Sequence, residues 1–470
     1  MKLVAVISLA ALSGVAAAQP GAQPPPPPSG PAPAQPTPAA PGGPNPASPT
    51  TSAGPEVLTL ERAIEIAMRQ QPSLRQIRAQ LEAAQGRVDQ SRVGARPTVG
   101  LDATLGSRSS GRGTTVTDPA TGVMTNSGPQ FFSHSESTGL GASASWRIYD
   151  FGQTAANIRA AELNADAAGA AVGTTVLDVR TSVETAYLDA VARRRLVQVA
   201  EATVKSEDAH LDQARRFVAA QAKDPIEVAQ AQSRDANAKS ALVQAQSNEA
   251  IALATLRSAI GWVDPANSPT VAANWPTPSE SDPPGLAALV DTARKQRPEI
   301  VQLDKELQAA DANLTAAYAE RRPVLSANAS TQWSPGTSNW SPEPSWTAGL
   351  SLSWNLFDGG RSAADARVAR ANVQSAAAQR DALLVSLTSQ LDSARSQIVA
   401  NRANVQASTE AVTAARAQLK LADARYAQGL GSQIELADAQ TAVTTAEGNL
   451  VTAEFQLATA WAQLRRATAQ

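Results

Sequence analysis

The sequence has no cysteine and only two histidines in 470 residues. Without cysteine there are no disulfides, thiolate metal sites or cysteine nucleophiles, and two histidines are too few for a histidine cluster. The formal net charge is −2, which gives no basic excess for binding nucleic acid. No nucleophile–base pair, phosphate loop or metal-ligand spacing is present. We therefore expect no enzyme activity, no metal, no cofactor and no nucleic-acid partner.

Aromatic residues make up only 4% of the chain, fewer than a compact globular core usually holds. Alanine, glutamine, serine and charged residues are abundant instead. This composition is typical of long helices that pack through small side chains.

The first 55 residues have the composition of an export signal followed by a tether. Lys2 precedes an apolar run over residues 3–15 and three alanines at 16–18, which predicts a signal peptide over residues 1–18. Residues 19–55 consist mainly of proline, alanine, glycine, serine and threonine, and cannot bury a core. We interpret them as a disordered tether before the folded body.

The remainder of the chain is a tandem duplication. Matching residues recur at one of two separations, 226 positions early in the repeat and 208 later on. The matches are Pro72 with Pro298, Pro97 with Pro323, Trp146 with Trp354, Asp150 with Asp358, Gly152 with Gly360, Glu227 with Glu435 and Leu256 with Leu464. We therefore predict repeat one at 56–261, a linker at 262–285 and repeat two at 286–470.

Each repeat contains one predicted β-hairpin, at 97–150 and at 323–358. Apolar residues alternate with small or polar ones around 99–105, 140–148, 325–333 and 348–356. This period of two, in strands of about ten residues, is typical of membrane β-strands, although two soluble hairpins would also fit.

Long helices are predicted around the hairpins. Residues 152–221 and 361–428 contain no proline, and each helix would run to about 100 Å. Small and apolar residues spaced three and four apart over 412–426 predict a coiled-coil seam. Such helices are stable only side by side, in a bundle or a tube.

Four strands cannot close a barrel, and a lipid bilayer tolerates no open sheet edge, so several copies must pool their strands. In this respect the chain resembles the outer-membrane efflux protein family, of TolC type, over residues 56–470. The resemblance is carried by the two Trp-x-x-x-Asp-x-Gly motifs, at 146–152 and 354–360, and by the stretch 425–440.

The resemblance implies an α+β membrane protein: a homotrimer with a twelve-stranded β-barrel, four strands per chain, continued by a long α-helical barrel. It implies the outer membrane of a Gram-negative bacterium, with the helices in the periplasm. The implied function is that of a passive exit duct for a tripartite efflux or type I secretion system. The implied partners are a periplasmic adaptor and an inner-membrane transporter.

The resemblance also implies the functional residues of the periplasmic tip. It assigns adaptor docking to Tyr426, Gly429, Leu430 and Gly431, and an acidic entrance constriction to Glu435, Asp438 and Glu227. The alternative is that these acids lie on an ordinary solvated helix face.

Repeat one departs from this tip pattern. Ala220 stands where the turn glycine is expected, and Gln230 replaces the second acid. Asp224 and Pro225 have the sequence of an N-cap followed by the first residue of a helix.

A periplasmic coiled-coil adaptor or scaffold of an export system is the alternative function. It would account for the helices but not for the duplicated strand pairs. The cargo is left open among drugs, metal ions and polypeptides, because a passive duct has no substrate pocket to interpret.

Overall fold

The computed structural model describes residues 57–112, 116–117, 119–122, 124–125, 131–263, 270–272, 275, 282–335 and 342–470. All of them belong to one unit, Gly54–Gln470. The predicted signal peptide (1–18) and tether (19–55) lie outside the described residues.

Eight helices are present in the described part of the chain, and they fall into two sets of equal lengths. The first set contains 11, 22, 67 and 36 residues, and the second set repeats these four lengths in the same order. The helices are α1 (Leu60–Gln70), α2 (Pro72–Val93), α3 (Gln153–Ala219), α4 (Pro225–Ile260), α5 (Leu286–Gln296), α6 (Pro298–Ala319), α7 (Arg361–Ala427) and α8 (Gln433–Thr468).

Proline and capping side chains set where the shorter helices begin. Helices α2, α4 and α6 each start at a proline, whose missing N–H costs nothing in the first turn. Thr59 caps α1 with its side-chain oxygen, and Ser432 does the same for α8. Asp224 is the N-cap of α4, as expected, but its side chain makes no capping bond.

Four strands form one antiparallel sheet in the order β2–β5–β7–β8. The strands are β2 (Thr98–Arg112), β5 (Phe131–Tyr149), β7 (Val324–Pro335) and β8 (Pro342–Ser353). Strands β2 and β5 are longer than the expected ten residues, because strand pairing continues beyond the residues in which apolar and polar side chains alternate. Strand β8 ends at Ser353, three residues before its predicted end.

One face of this sheet is apolar and the other is polar. Directly paired residues share a face, and successive residues alternate between faces. The apolar face carries Val99, Leu101, Ala142, Ala144, Trp146, Ala327, Ala329, Leu350 and Leu352. The polar face carries Thr98, Asp102, Ser143, Ser145, Ser326, Asn328, Ser330, Thr347 and Ser351. Leucines on the apolar face are strongly exposed, Leu101 at 81% and Leu350 at 71%.

The other strands are two residues long. Strand β1 (Val57–Leu58) pairs in parallel with β6 (Thr270–Val271), and β3 (Val116–Thr117) pairs with β4 (Met124–Thr125). The predicted linker at 262–285 therefore contains a strand that the sequence pattern did not reveal.

Two apolar cores occupy matching places in the two helix sets. The first joins α1, α3 and α4 around Val183 and Leu256, with β1 and β6 beside it. The second joins α5, α7 and α8 around Leu391 and Leu464. These pairs of residues are separated by 208 positions, the spacing found in the sequence.

Helix α3 lies between neighbours on both sides, whereas α7 does not. Helix α3 packs against α2 and α6 along one part of its length, and against α4 and α8 along the other. Helix α7 packs against α5, α6 and α8, and among the described helices α2, α4 and α7 form the lateral edges of the helical layer. Within the described ranges, no helix has both the length and the apolar character needed to cross a membrane.

Candidate functional site

The predicted tip residues form the turn between α7 and α8. The Leu430 N–H donates to the Arg425 carbonyl at 2.9 Å and the Gly429 N–H donates to the Tyr426 carbonyl at 3.0 Å. This is the Schellman arrangement, which needs a left-handed residue just past the helix, and Gly429 has φ +75°. A Cβ on Gly431 would lie 3.0 Å from the Tyr426 nitrogen. A side chain at position 429 would therefore be conformationally strained, and one at position 431 would crowd the backbone of α7.

The turn between α3 and α4 has the same geometry without a glycine. The Ala222 N–H donates to the Phe217 carbonyl at 2.9 Å, and the left-handed position is taken by Gln221, with φ +55°. The residue that corresponds to Gly429 is thus Gln221. The expectation that Ala220 occupies this place was wrong by one residue, and the separation of 208 positions between the repeats itself pairs Gly429 with Gln221.

Tyr426, Gln433 and Glu227 join the two turns, and we call these three residues the tip latch. Tyr426 is only 1% exposed, and its hydroxyl donates to Glu227 Oε2 at 3.0 Å. Gln433 Nε2 donates to the backbone carbonyl of Glu227 at 2.9 Å. The ring of Phe217 meets the Tyr426 ring edge-on, with the centroids 5.7 Å apart. The start of α4 is therefore bonded to both α7 and α8.

The tip latch holds one negative charge beside one positive charge. Lys223 Nζ lies 3.3 Å from Glu227 Oε1 and 5.5 Å from the centre of the Tyr426 ring. Burial, together with the hydrogen bond to Glu227, raises the pKa of Tyr426 to about 12. Tyr426 therefore remains a hydrogen-bond donor at neutral pH.

The other two predicted acids have different surroundings. The Glu435 N–H is capped by Ser432 Oγ at 3.1 Å, and its carboxylate lies 3.5 Å from Arg425 Nη1. Asp438 is exposed, lines a groove of about 550 Å³ between α7 and α8, and has no ion pair among the described residues. Glu227 and Glu435 match in sequence, yet Glu227 is bonded inside the tip latch while Glu435 faces a cation at the surface.

The two Trp-x-x-x-Asp-x-Gly motifs connect the sheet to the long helices. Trp146 Nε1 donates to the Ala95 carbonyl at 3.2 Å, and Trp354 Nε1 donates to the Arg321 carbonyl at 3.1 Å. Each indole thereby ties the end of a strand to the turn that leaves α2 or α6. The two tryptophans were recognised as part of a sequence motif, but their hydrogen bonds to backbone carbonyls could not be predicted from it.

The aspartate of each motif holds the first turn of a 67-residue helix. Asp358 accepts from the backbone N–H groups of Gly360 and Ser362, both at 2.9 Å, and from the Ser362 hydroxyl. These bonds lower the pKa of Asp358 to about 2. Asp150 accepts the corresponding bonds at the start of α3. Together with the indoles, these carboxylates form what we call the sheet–helix joint.

Comparison with solved structures identifies the class of protein to which this fold belongs. The CusC channel matches with a TM-score of 0.74 and 18% identity, over 87% of this chain and 91% of that one. The Campylobacter jejuni CmeC outer membrane channel matches with a TM-score of 0.73 and 16% identity, over 87% and 85%. The fold is therefore that of these outer-membrane channel proteins.

The family follows from the sequence match. The family model described as outer membrane efflux protein covers residues 63–262 and 289–470, and the chain belongs to this family. Protein CyaE of Bordetella pertussis is 30% identical over 271 residues, which are 57% of this chain and 53% of CyaE, so the match spans about half of that relative. The protein is accordingly located in the outer membrane, with its helical part in the periplasm.

Proposed function

We propose that this chain is the outer-membrane exit duct of a tripartite efflux or type I secretion system, which passively conducts small molecules or polypeptides. The observation that carries the proposal is the four-stranded sheet, with one exposed apolar face, one polar face and two open edges. An apolar face suits lipid and a polar face suits a water-filled lumen. A coiled-coil adaptor in the periplasm would not need a sheet with an exposed apolar face.

Three copies would close the two open edges, β2 and β8, into a barrel of twelve strands, since lipid tolerates no unpaired edge. The equal helix lengths support two tandem repeats, 56–261 and 286–470, joined by the linker 262–285. The proposal includes a signal peptide at 1–18 and a disordered tether at 19–55. In this scheme the protein is a conduit and not an enzyme.

The hairpin tips would form the periplasmic entrance and the docking site of the adaptor. Leu430 is 71% exposed beside Gly429 and Gly431, which suits an apolar contact with a partner. The tip latch would hold the entrance narrow until the adaptor and the inner-membrane transporter engage. Asp438 would supply most of the attraction for cations, because the charge of Glu435 is already compensated by Arg425.

Membrane fractionation, native mass measurement and planar-bilayer recording together test this function. We expect the protein in the outer-membrane fraction, with the mass of three chains, and ion conductance after reconstitution. A single chain in the soluble periplasmic fraction, with no conductance, would contradict the proposal and favour the adaptor.

A further inference from the structure

The polar face of the four-stranded sheet carries very little charge. Its described side chains are mostly those of serine, threonine, asparagine and glycine, and only Asp102 and Arg147 among them are charged. Arg147 lies near the end of β5, where its guanidinium is 3.6 Å from the carboxylate of Asp150. Asp102 is exposed on β2, and among the described residues it has neither an ion pair nor a side-chain hydrogen bond. The charge of Arg147 is therefore compensated by a neighbour, whereas that of Asp102 is not.

The carboxylate of Asp102 lies flat over a glycine of the next strand. Asp102 pairs directly with Gly141 of β5, and a Cβ built on Gly141 would lie 2.6 Å from Asp102 Oδ1 and 2.7 Å from Oδ2. In the adjacent pair on the same face, a Cβ on Gly139 would lie 2.9 Å from Thr104 Oγ1. Gly139 and Gly141 thus form what we call the glycine notch, in which the side chains of Asp102 and Thr104 rest against the sheet.

The glycine notch does not stabilise the sheet. Glycine inside a strand weakens it, because it has no side chain to pack, and aspartate is depleted in strands. Asp102 gains no bond in return among the described residues. A residue that local propensity disfavours, and that makes no stabilising contact, indicates a functional position.

We propose that Asp102 selects solutes by charge inside the β-barrel, favouring cations and cationic solutes over anions. The inference rests on the duct of three copies proposed above, in which symmetry sets three Asp102 carboxylates at one level of the wall. The glycine notch holds these carboxylates back from the lumen. They therefore act on passing solutes by charge without narrowing the passage.

The radius of the barrel decides how strongly three charges act on the axis. Twelve strands that lie about 4.8 Å apart and are tilted by about 40° close at a radius of about 12 Å, which places the carboxylates about 10 Å from the axis. The screening length is about 30 Å at 10 mM salt and about 10 Å at 0.1 M. Coulomb's law in water then gives an enrichment of monovalent cations on the axis of about fourfold at 10 mM and about twofold at 0.1 M. At 1 M salt the screening length is about 3 Å, and the enrichment vanishes.

Zero-current potentials across planar bilayers, measured in a gradient of KCl, test this role. The background is the full chain with Glu435→Ala and Asp438→Ala, so that acids of the tip do not contribute. In this background Asp102→Asn should lower the cation-to-anion permeability ratio about fourfold near 10 mM KCl, and should leave it unchanged at 1 M. Asp102→Glu keeps the charge and should retain the ratio of the background.

Gly141→Ala moves the charge without removing it. The added Cβ would displace the carboxylate of Asp102 towards the lumen, because that carboxylate is the free end of a flexible side chain. The cation preference should therefore rise in Gly141→Ala, and it should not rise when Asp102→Asn is also present. A preference that falls or stays the same in a conducting Gly141→Ala channel would overturn the part assigned to the glycine notch.

Native mass, measured on the same samples, separates this inference from the duct. Conducting assemblies of three chains with the same permeability ratio in Asp102→Asn, in Asp102→Glu and in the background would overturn the role of Asp102 and leave the duct standing. A single-chain mass and no conductance in the unaltered protein would overturn the duct itself.

Discussion

Removing one hydroxyl from the tip latch should open the entrance. In Tyr426→Phe the ring still fills its buried place against Phe217, but the carboxylate of Glu227 loses its donor at 3.0 Å. A hydrogen bond to a charged partner contributes about 1.5–3 kcal/mol net. Each copy should then populate the open tip about tenfold to a hundredfold more often. If three copies open together, the closed state loses about 4.5–9 kcal/mol of stability relative to the open state.

The assay is single-channel recording in planar bilayers, where Tyr426→Phe should spend much more time at high conductance than the wild type. The control is Tyr318→Phe on α6, which removes a hydroxyl that accepts a hydrogen bond from Arg370 of α7, away from the tips. Unchanged conductance in Tyr426→Phe, with a lowered unfolding temperature, would refute the gating role and leave the bond purely structural.

The pH dependence gives a second measurement on the same variant. Because the pKa of Tyr426 is raised from 10.0 to about 12, its contribution is complete below pH 10 and is lost as the pH rises through about 12. The wild type should therefore open over this range, whereas Tyr426→Phe should already be open and change little.

Three further changes test other parts of the molecule. Leu352→Arg, on the apolar face near the end of β8, should cost about 1 kcal/mol and weaken assembly, whereas Ser351→Arg on the polar face should be tolerated. Equal tolerance of both changes in membrane-extraction assays would contradict a lipid contact. The pKa of Asp358 is lowered from 3.8 to about 2. The wild type should therefore be more stable than Asp358→Asn in thermal unfolding above pH 3.8, and this difference should vanish as the pH falls toward 2. A difference in stability that does not change with pH would refute this role. Replacing Glu435 and Asp438 by alanine should reduce the cation selectivity of the channel, mostly through the loss of Asp438. The difference from the wild type should shrink at high salt, because salt screens both charges. Unchanged selectivity at low salt would show that the two acids are ordinary surface charges.

The long helices and the polarity of the sheet faces could be predicted because their signals are local. The starts of α2 and α6 follow from Pro72 and Pro298, and the face of each strand follows from alternation. The spacing of 208 positions pairs Gln221 with Gly429, but the left-handed conformation of Gln221 could not be predicted, because glycine is the residue that usually marks such a position.

The contacts of the candidate site depended on packing that one sequence cannot reveal. Glu227 and Glu435 are equivalent by spacing, yet only Glu227 receives the hydroxyl of Tyr426, from a helix about 200 residues away in the chain. The indole bonds of Trp146 and Trp354 were equally hidden, since their acceptors are backbone carbonyls.

The sheet–helix joint also sets the mechanics of any opening. Because Asp150 and Asp358 fix the first turns of α3 and α7, each of these helices, about 100 Å long, is a cantilever clamped at one end. A gradual bend of only about 6° between the clamp and the free end would move the tip by several ångströms. Once the bonds of the tip latch are broken, small forces from a partner, applied far from the membrane, would widen the tips while the strands stay still.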